Sequence, residues 1–68
     1  MADLNTRPNI SDADSFYAEL MAVHDGLTKT QSDALNARLI LLLANHVGDR
    51  EVLSAALSAA ARAAGVER

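Results

Sequence analysis

The longest apolar run of the chain extends from Ala34 to Ala44 and contains too few polar residues for a one-sided surface helix. On a helix of about 100° per residue, Leu41 lies on the side opposite most of the other aliphatic residues, next to Arg38 and Asn45. These other residues form a broad arc: Leu35, Leu39, Ile40, Leu42, Leu43 and Val47. One neighbouring helix cannot bury such a surface, so we expect other segments to bury this helix from several sides.

Start and stop signals divide the chain into three helices. For the second helix, Thr28 with Gln31 forms a capping box, whereas Thr30 with Asp33 offers a rival start two residues later. Isolated glycines are typical of helix ends, because glycine adopts the left-handed conformation that closes a helix. The predicted helices are about 12–25, 29–47 and 50–64, followed by Gly26, Gly48 and Gly65.

The first helix has two candidate caps. Ser11 stands three residues before Asp14 in a box-like arrangement, and Asp12 is the alternative. Phe16, Leu20 and Val23 then follow at helical spacing on one face.

The third helix is rich in alanine and begins directly after Asp49, its expected cap. Alanine has high helix propensity and allows the backbone of a neighbour to approach closely. We expect the apolar stripe of this helix to point inward. The stripe consists of Val52, Leu53, Ala56, Leu57, Ala60 and Ala64.

Residues 1–11 are expected to form an extended arm. Pro8 fixes its own φ and biases Arg7 away from the helical conformation, and Leu4 and Ile10 are the expected anchors on the helices. No segment has the pattern of a strand. The predicted fold class is therefore all-α: a single small domain, 1–68, in which this arm precedes an antiparallel three-helix arrangement, a helical hairpin plus the alanine-rich helix, with the middle helix buried.

Composition narrows the possible functions. The chain has 68 residues and no cysteine, which excludes disulfides and thiol chemistry and favours the cytoplasm. The nine acidic residues outnumber the six scattered Lys and Arg, the net charge is −3, and there is no Trp, so we expect no nucleic-acid partner. The apolar run is too short for a membrane-spanning helix, and we expect no membrane partner.

Candidate catalytic chemistry is limited to two histidines. His24 and His46 have Asp25 and Asp49 close by in sequence, but an antiparallel hairpin places the two imidazoles at opposite ends. We therefore predict no catalytic, metal or cofactor site and no enzyme activity. The alternative is a metal or acid–base site that uses His24 and His46 after an oligomer brings the ends together. A contact of His46 with Asp12 or Asp14 is a further hypothesis.

The polar residues of the second helix suggest an interface. Arg38 and Asn45 flank Leu41, and an apolar residue beside an arginine is typical of an interface centre. The predicted interface consists of Leu41, Arg38, Asn45, Ala34 and Ala37. The alternative is that the polar residues form only the solvated edge and terminal cap of a mostly buried helix.

A longer string carries a resemblance. The run Leu-Asn-Ala-Arg-Leu-Ile-Leu-Leu-Leu-Ala-Asn-His at 35–46, with Phe16, Tyr17 and Leu20 before it and the arm from Leu4 to Ile10, resembles the short bacterial family known as domain of unknown function 2783. The resemblance implies a small, stand-alone cytoplasmic bacterial protein without an established activity. It also implies an accessory role beside oxidoreductases and other catabolic enzymes.

We therefore expect a non-catalytic interaction or accessory module without a cofactor. The first hypothesis is a homo-oligomer that forms through the second helix and the alanine face of the third. The alternative is a small subunit that docks on a larger bacterial catabolic enzyme such as an oxidoreductase.

Overall fold

Three helices form the regular secondary structure of this protein in a computed structural model that describes residues 3–65. They are α1 (Ala13–His24), α2 (Lys29–Val47) and α3 (Arg50–Ala63). No strand occurs between residues 3 and 65. The predicted all-α fold is confirmed, and each predicted helix end lies within one residue of the observed end. Residues 1, 2 and 66–68 of the predicted domain lie outside the described residues.

Side-chain caps begin α2 and α3 as predicted. The Gln31 N–H donates to Thr28 Oγ1 at 3.1 Å, and the Thr28 N–H donates to Gln31 Oε1 at 3.0 Å. This reciprocal pair confirms the capping box at Thr28 over the rival start at Thr30. Asp49 Oδ1 accepts from the N–H groups of Glu51, at 3.0 Å, and Val52, at 3.1 Å. Both helices therefore begin with a side-chain acceptor for backbone amides of the first turn.

The start of α1 agrees with the predicted alternative at Asp12 in position but lacks the side-chain cap expected there. Asp12 occupies the N-cap position with φ 52°, in the left-handed region, and its side chain makes no capping hydrogen bond. The box that begins with Ser11 is wrong, because Ser11 lies one residue outside the observed N-cap. The start of α1 is held by a backbone hydrogen bond, in which the Phe16 N–H donates to the Asp12 carbonyl oxygen at 3.1 Å.

A two-residue link joins α2 to α3. Gly48 has φ +73°, and its N–H donates to the Ala44 carbonyl oxygen at 2.9 Å, which closes α2 in a left-handed cap. Asp49 follows immediately and caps α3. Hydrogen bonds therefore define the conformation of both linking residues.

The middle helix is not buried, which corrects the sequence prediction. Among residues 3–65 no side chain is buried, and no two helices pack along their lengths. The radius of gyration is 13.7 Å, whereas a compact chain of this length has about 11 Å. The reason is geometric, since two short helices cannot surround a helix that is apolar on several sides.

Two other packing predictions are partly wrong. In α3, Val52, Leu53 and Ala56 are half-buried, but Leu57, Ala60 and Ala64 are exposed. In the arm, Leu4 is half-buried, whereas Ile10, the other expected anchor, is exposed. The arm also turns locally, because Asn5 Oδ1 accepts the Arg7 N–H at 3.0 Å.

Replacement of Asp49 by alanine tests the link. Asp49→Ala leaves the Glu51 and Val52 amides without their side-chain acceptor, and we expect a loss of about 1 kcal/mol in the free energy of unfolding. The measurement is urea denaturation followed by circular dichroism. Asp49→Asn keeps a capping oxygen and is the matched control, expected to remain within a few tenths of a kcal/mol of the wild type. Equal destabilisation by both substitutions contradicts the capping role.

Candidate functional site

An open apolar groove of about 380 Å³ separates α1 from α2. The first wall is formed by the predicted apolar face of α1, Phe16, Leu20 and Val23, and Glu19 lies beside it. The second wall belongs to α2 and contains Leu35, Arg38, Leu39 and Leu42. We call this set of eight residues the hairpin groove. Leu20, Leu35 and Leu39 are half-buried, and the other five remain exposed.

His24 joins the two walls at one end of the groove. Its Nδ1 lies 2.8 Å from the carbonyl oxygen of Leu20, one turn earlier in α1. Its Nε2 lies 2.8 Å from Oδ1 of Asn36 in α2. The contact joins the last residue of α1 to the first half of α2, as an antiparallel hairpin requires. His24 is thus a structural clamp.

Both partners of His24 are hydrogen-bond acceptors. A neutral imidazole donates from one nitrogen only, whereas the imidazolium donates from both, so this geometry favours the charged form. The backbone contact with Leu20 and then the Asn36 side chain raise the pKa of His24 above its usual value of 6.5, and partial burial opposes them more weakly. The positive charge also lies in the last turn of α1, where the helix dipole favours it.

The structure does not bring His24 and His46 together. His46 follows Asn36 by ten residues, about 15 Å along α2. The described part of the chain contains no group of three or more metal-ligating side chains. In that same part, no hydrogen bond or ion pair joins His46 to Asp12 or Asp14, so the predicted contact is wrong. The only ion pair among the described residues joins Lys29 to Asp33 on the exposed side of α2.

All five predicted interface residues lie on the surface of α2. Leu41 is 66% exposed, the largest exposed fraction among the large apolar residues of this helix. Arg38 also lines the hairpin groove, so the predicted interface continues into the groove at that residue. We call these five residues the α2 strip: Ala34, Ala37, Arg38, Leu41 and Asn45.

Sequence reasoning missed the role of Asn36. No partner was predicted for this residue, whereas Asn36 Oδ1 lies 2.8 Å from His24 Nε2 and links the two helices of the hairpin. The available signal was that Asn36 is an isolated polar residue beside Leu35, Leu39 and Leu43 on the helix surface, on the side that faces α1. Its pairing with His24 depends on the angle between the helices, which a single sequence does not specify.

The geometry defines a small all-α protein whose candidate site is an apolar surface without a cluster of reactive groups. A family model described as "Protein of unknown function (DUF2783)" matches residues 4–62 of the 68 residues. The chain therefore belongs to this family, which confirms the resemblance carried by the leucine-rich run. No curated protein and no solved structure matches the chain.

Within residues 3–65, none of the three helices combines the length and the apolar character needed to cross a membrane. α2 is the longest, with 19 residues, but it carries Lys29, Asp33 and Arg38.

The protonation of His24 can be measured directly. We expect its pKa, followed by NMR titration, to lie above 6.5 and to fall in Asn36→Ala, which removes one acceptor. The matched control is Asn45→Ala, an asparagine on the same helix that does not contact His24, and it leaves the pKa unchanged. A pKa at or below 6.5 in the wild-type protein contradicts the clamp.

The protonation of His24 also makes the stability of the fold depend on pH. Because the folded-state pKa is raised above the unfolded value, protonation favours the folded state. The contribution of His24 to the free energy of unfolding is complete below about pH 6.5 and is lost as the pH rises through the folded-state pKa. We therefore expect the urea midpoint to fall between about pH 6 and pH 8, and to fall less in His24→Gln. A midpoint that rises over this interval in the wild type but not in His24→Gln contradicts the prediction.

Proposed function

We propose that this protein is a non-catalytic interaction module that associates with itself through the α2 strip. One observation carries the proposal: the described chain has no buried residue, while large apolar side chains stay exposed on all three helices. Leu41, Ile40 and Leu42 are three consecutive aliphatic residues that point in different directions around α2, and each is more than half exposed. A second copy can cover what the chain itself leaves open. We also propose a cytoplasmic location.

The accessible surface supports this proposal quantitatively. It amounts to 6056 Å², whereas a compact monomer of 7.2 kDa exposes about 4,100 Å². The excess is about 1,900 Å², and a standard protein interface buries about 800 Å² on each partner. Enough surface is therefore available for a stable interface, even after the arm has taken a share of the excess.

The chemistry of the α2 strip suits an interface centre. Leu41 provides an aliphatic side chain, and Arg38 and Asn45 on either side provide donors that fix the register of a partner. Ala34 and Ala37 leave room for a partner backbone. The strip combines apolar burial with hydrogen bonds at its edges.

Light scattering over a wide dilution range, with circular dichroism on the same samples, tests the proposal. We expect a dimer or larger oligomer with full helicity. Leu41→Asp places a charge in the interface and should raise the dissociation constant at least a hundredfold, about 3 kcal/mol, without loss of helicity at high concentration.

The matched control is Ile40→Asp. Ile40 is 61% exposed, close to the value for Leu41, but it lies about 100° away around α2. It is expected to weaken association much less. Equal effects of the two substitutions contradict an interface centred on Leu41. Unfolding of Leu41→Asp at every concentration also contradicts the proposal, because it shows that the fold of the single chain depends on Leu41.

A larger protein as the partner is the second candidate. The apolar wall of the hairpin groove favours it, because an amphipathic helix of another protein fits such a groove. A monomeric mass together with exposed apolar surface, detected by a fluorescent dye, supports this candidate over self-association. An accessory role beside a catabolic enzyme belongs to this second proposal.

A further inference from the structure

Two apolar surfaces lack a partner within residues 3–65. The first is the hairpin groove. The second is a line of residues along α3, which we call the α3 stripe: Leu53, Leu57, Ala60 and Ala64. Leu57 at its centre is 66% exposed, and only Leu53 is half-buried. The two surfaces belong to different helices of one chain, so every copy carries both.

The α3 stripe matches the groove in length and shape. The groove walls extend from Phe16 to Val23 and from Leu35 to Leu42, and the exposed part of the stripe extends from Leu57 to Ala64, so each measures about 10 Å. The groove walls carry large side chains, among them Phe16 and Leu42, and leave about 380 Å³ between them. Beyond the half-buried Leu53, the stripe offers one exposed large side chain, Leu57, with the small Ala60 and Ala64 after it. Large residues on one surface opposite small ones on the other pack closely.

The link makes closure within one chain costly. If α3 turned into its own groove, the backbone at Gly48 and Asp49 would have to rotate. In the present conformation the Gly48 N–H bond to Ala44 and the Asp49 bonds to the first amides of α3 are both made, and rotation at Gly48 would disturb the first of them. A second copy brings its α3 to the groove while these caps stay intact.

We propose that α3 of each copy lies in the hairpin groove of a second copy, so that two chains exchange their third helices reciprocally. This inference depends on the self-association proposed above and identifies the surfaces that meet. Because each chain donates one helix and accepts one, the dimer is closed and two-fold symmetric. The interface continues into the α2 strip, since Arg38 belongs to both surfaces. The excess of about 1,900 Å² per chain leaves room for a groove, a stripe and a strip in one interface.

Disulfide trapping tests the exchange, because the chain has no cysteine. Leu20→Cys places a thiol in the groove and Leu57→Cys places one on the α3 stripe. The two variants are prepared separately, mixed, allowed to exchange subunits and oxidised at low concentration. We expect the mixed dimer to exceed clearly the statistical share of about half of all linked dimers, because each groove thiol faces a stripe thiol of the other copy.

Ser58→Cys is the matched control for Leu57→Cys. Ser58 is also exposed on α3 but lies about 100° away from Leu57, and its mixture with Leu20→Cys is expected to give only the statistical share. If the mixture of Leu57→Cys with Leu20→Cys also gives only the statistical share of mixed dimers, the exchange is overturned. Predominant linkage between two Leu57→Cys chains overturns it too, because it indicates that α3 helices pair with each other.

Two further measurements separate this inference from the proposed function. The double variant Leu20→Cys/Leu57→Cys reports closure within one chain: an internal disulfide in a species of monomeric mass overturns the exchange. We expect Leu57→Asp to have a dimer dissociation constant at least tenfold higher than that of Ser58→Asp. If the wild type is a dimer that Leu41→Asp dissociates and Leu57→Asp does not, the exchange is overturned and the α2 strip stands. If the wild type is a monomer at all concentrations, both proposals are overturned.

Discussion

The organisation of this protein follows from one constraint: its central helix is apolar on several sides, and the chain is too short to cover it. A chain of 68 residues has little surface with which to enclose a 19-residue helix. α1 lies opposite α2 on one side only, across the open hairpin groove, where Leu35 and Leu39 are half-buried. The remaining aliphatic residues stay exposed, and this single imbalance accounts for both the open shape and the proposed self-association.

Local hydrogen bonds therefore define much of the architecture that packing defines in larger proteins. The capping box at Thr28, the left-handed Gly48 and the Asp49 cap determine where each helix begins and ends and how α2 leads into α3. Between α1 and α2, the His24 contact with Asn36 supplies a specific polar link.

The same imbalance explains why the candidate site is a surface. The histidines that sequence inspection singles out are separated along the hairpin, and His24 is occupied with structural contacts to Leu20 and Asn36. The opposite charges in the hairpin groove, Glu19 and Arg38, lie beside leucines and a phenylalanine. Membership of a family of unknown function adds no activity to these surfaces.

The sequence by itself determined the helices, because caps and glycine stops act between residues at most four positions apart. Thr28 with Gln31, Asp49 with Val52, and Gly48 with Ala44 are all readable from one string of residues. Only the tertiary structure decided which apolar residues are covered: Leu57 and Ile10 were expected to pack inward, and both are exposed. It also paired His24 with Asn36 and left the hairpin groove open. These features depend on the angles between helices, which arise from contacts between distant residues and leave no periodic signal in a single sequence.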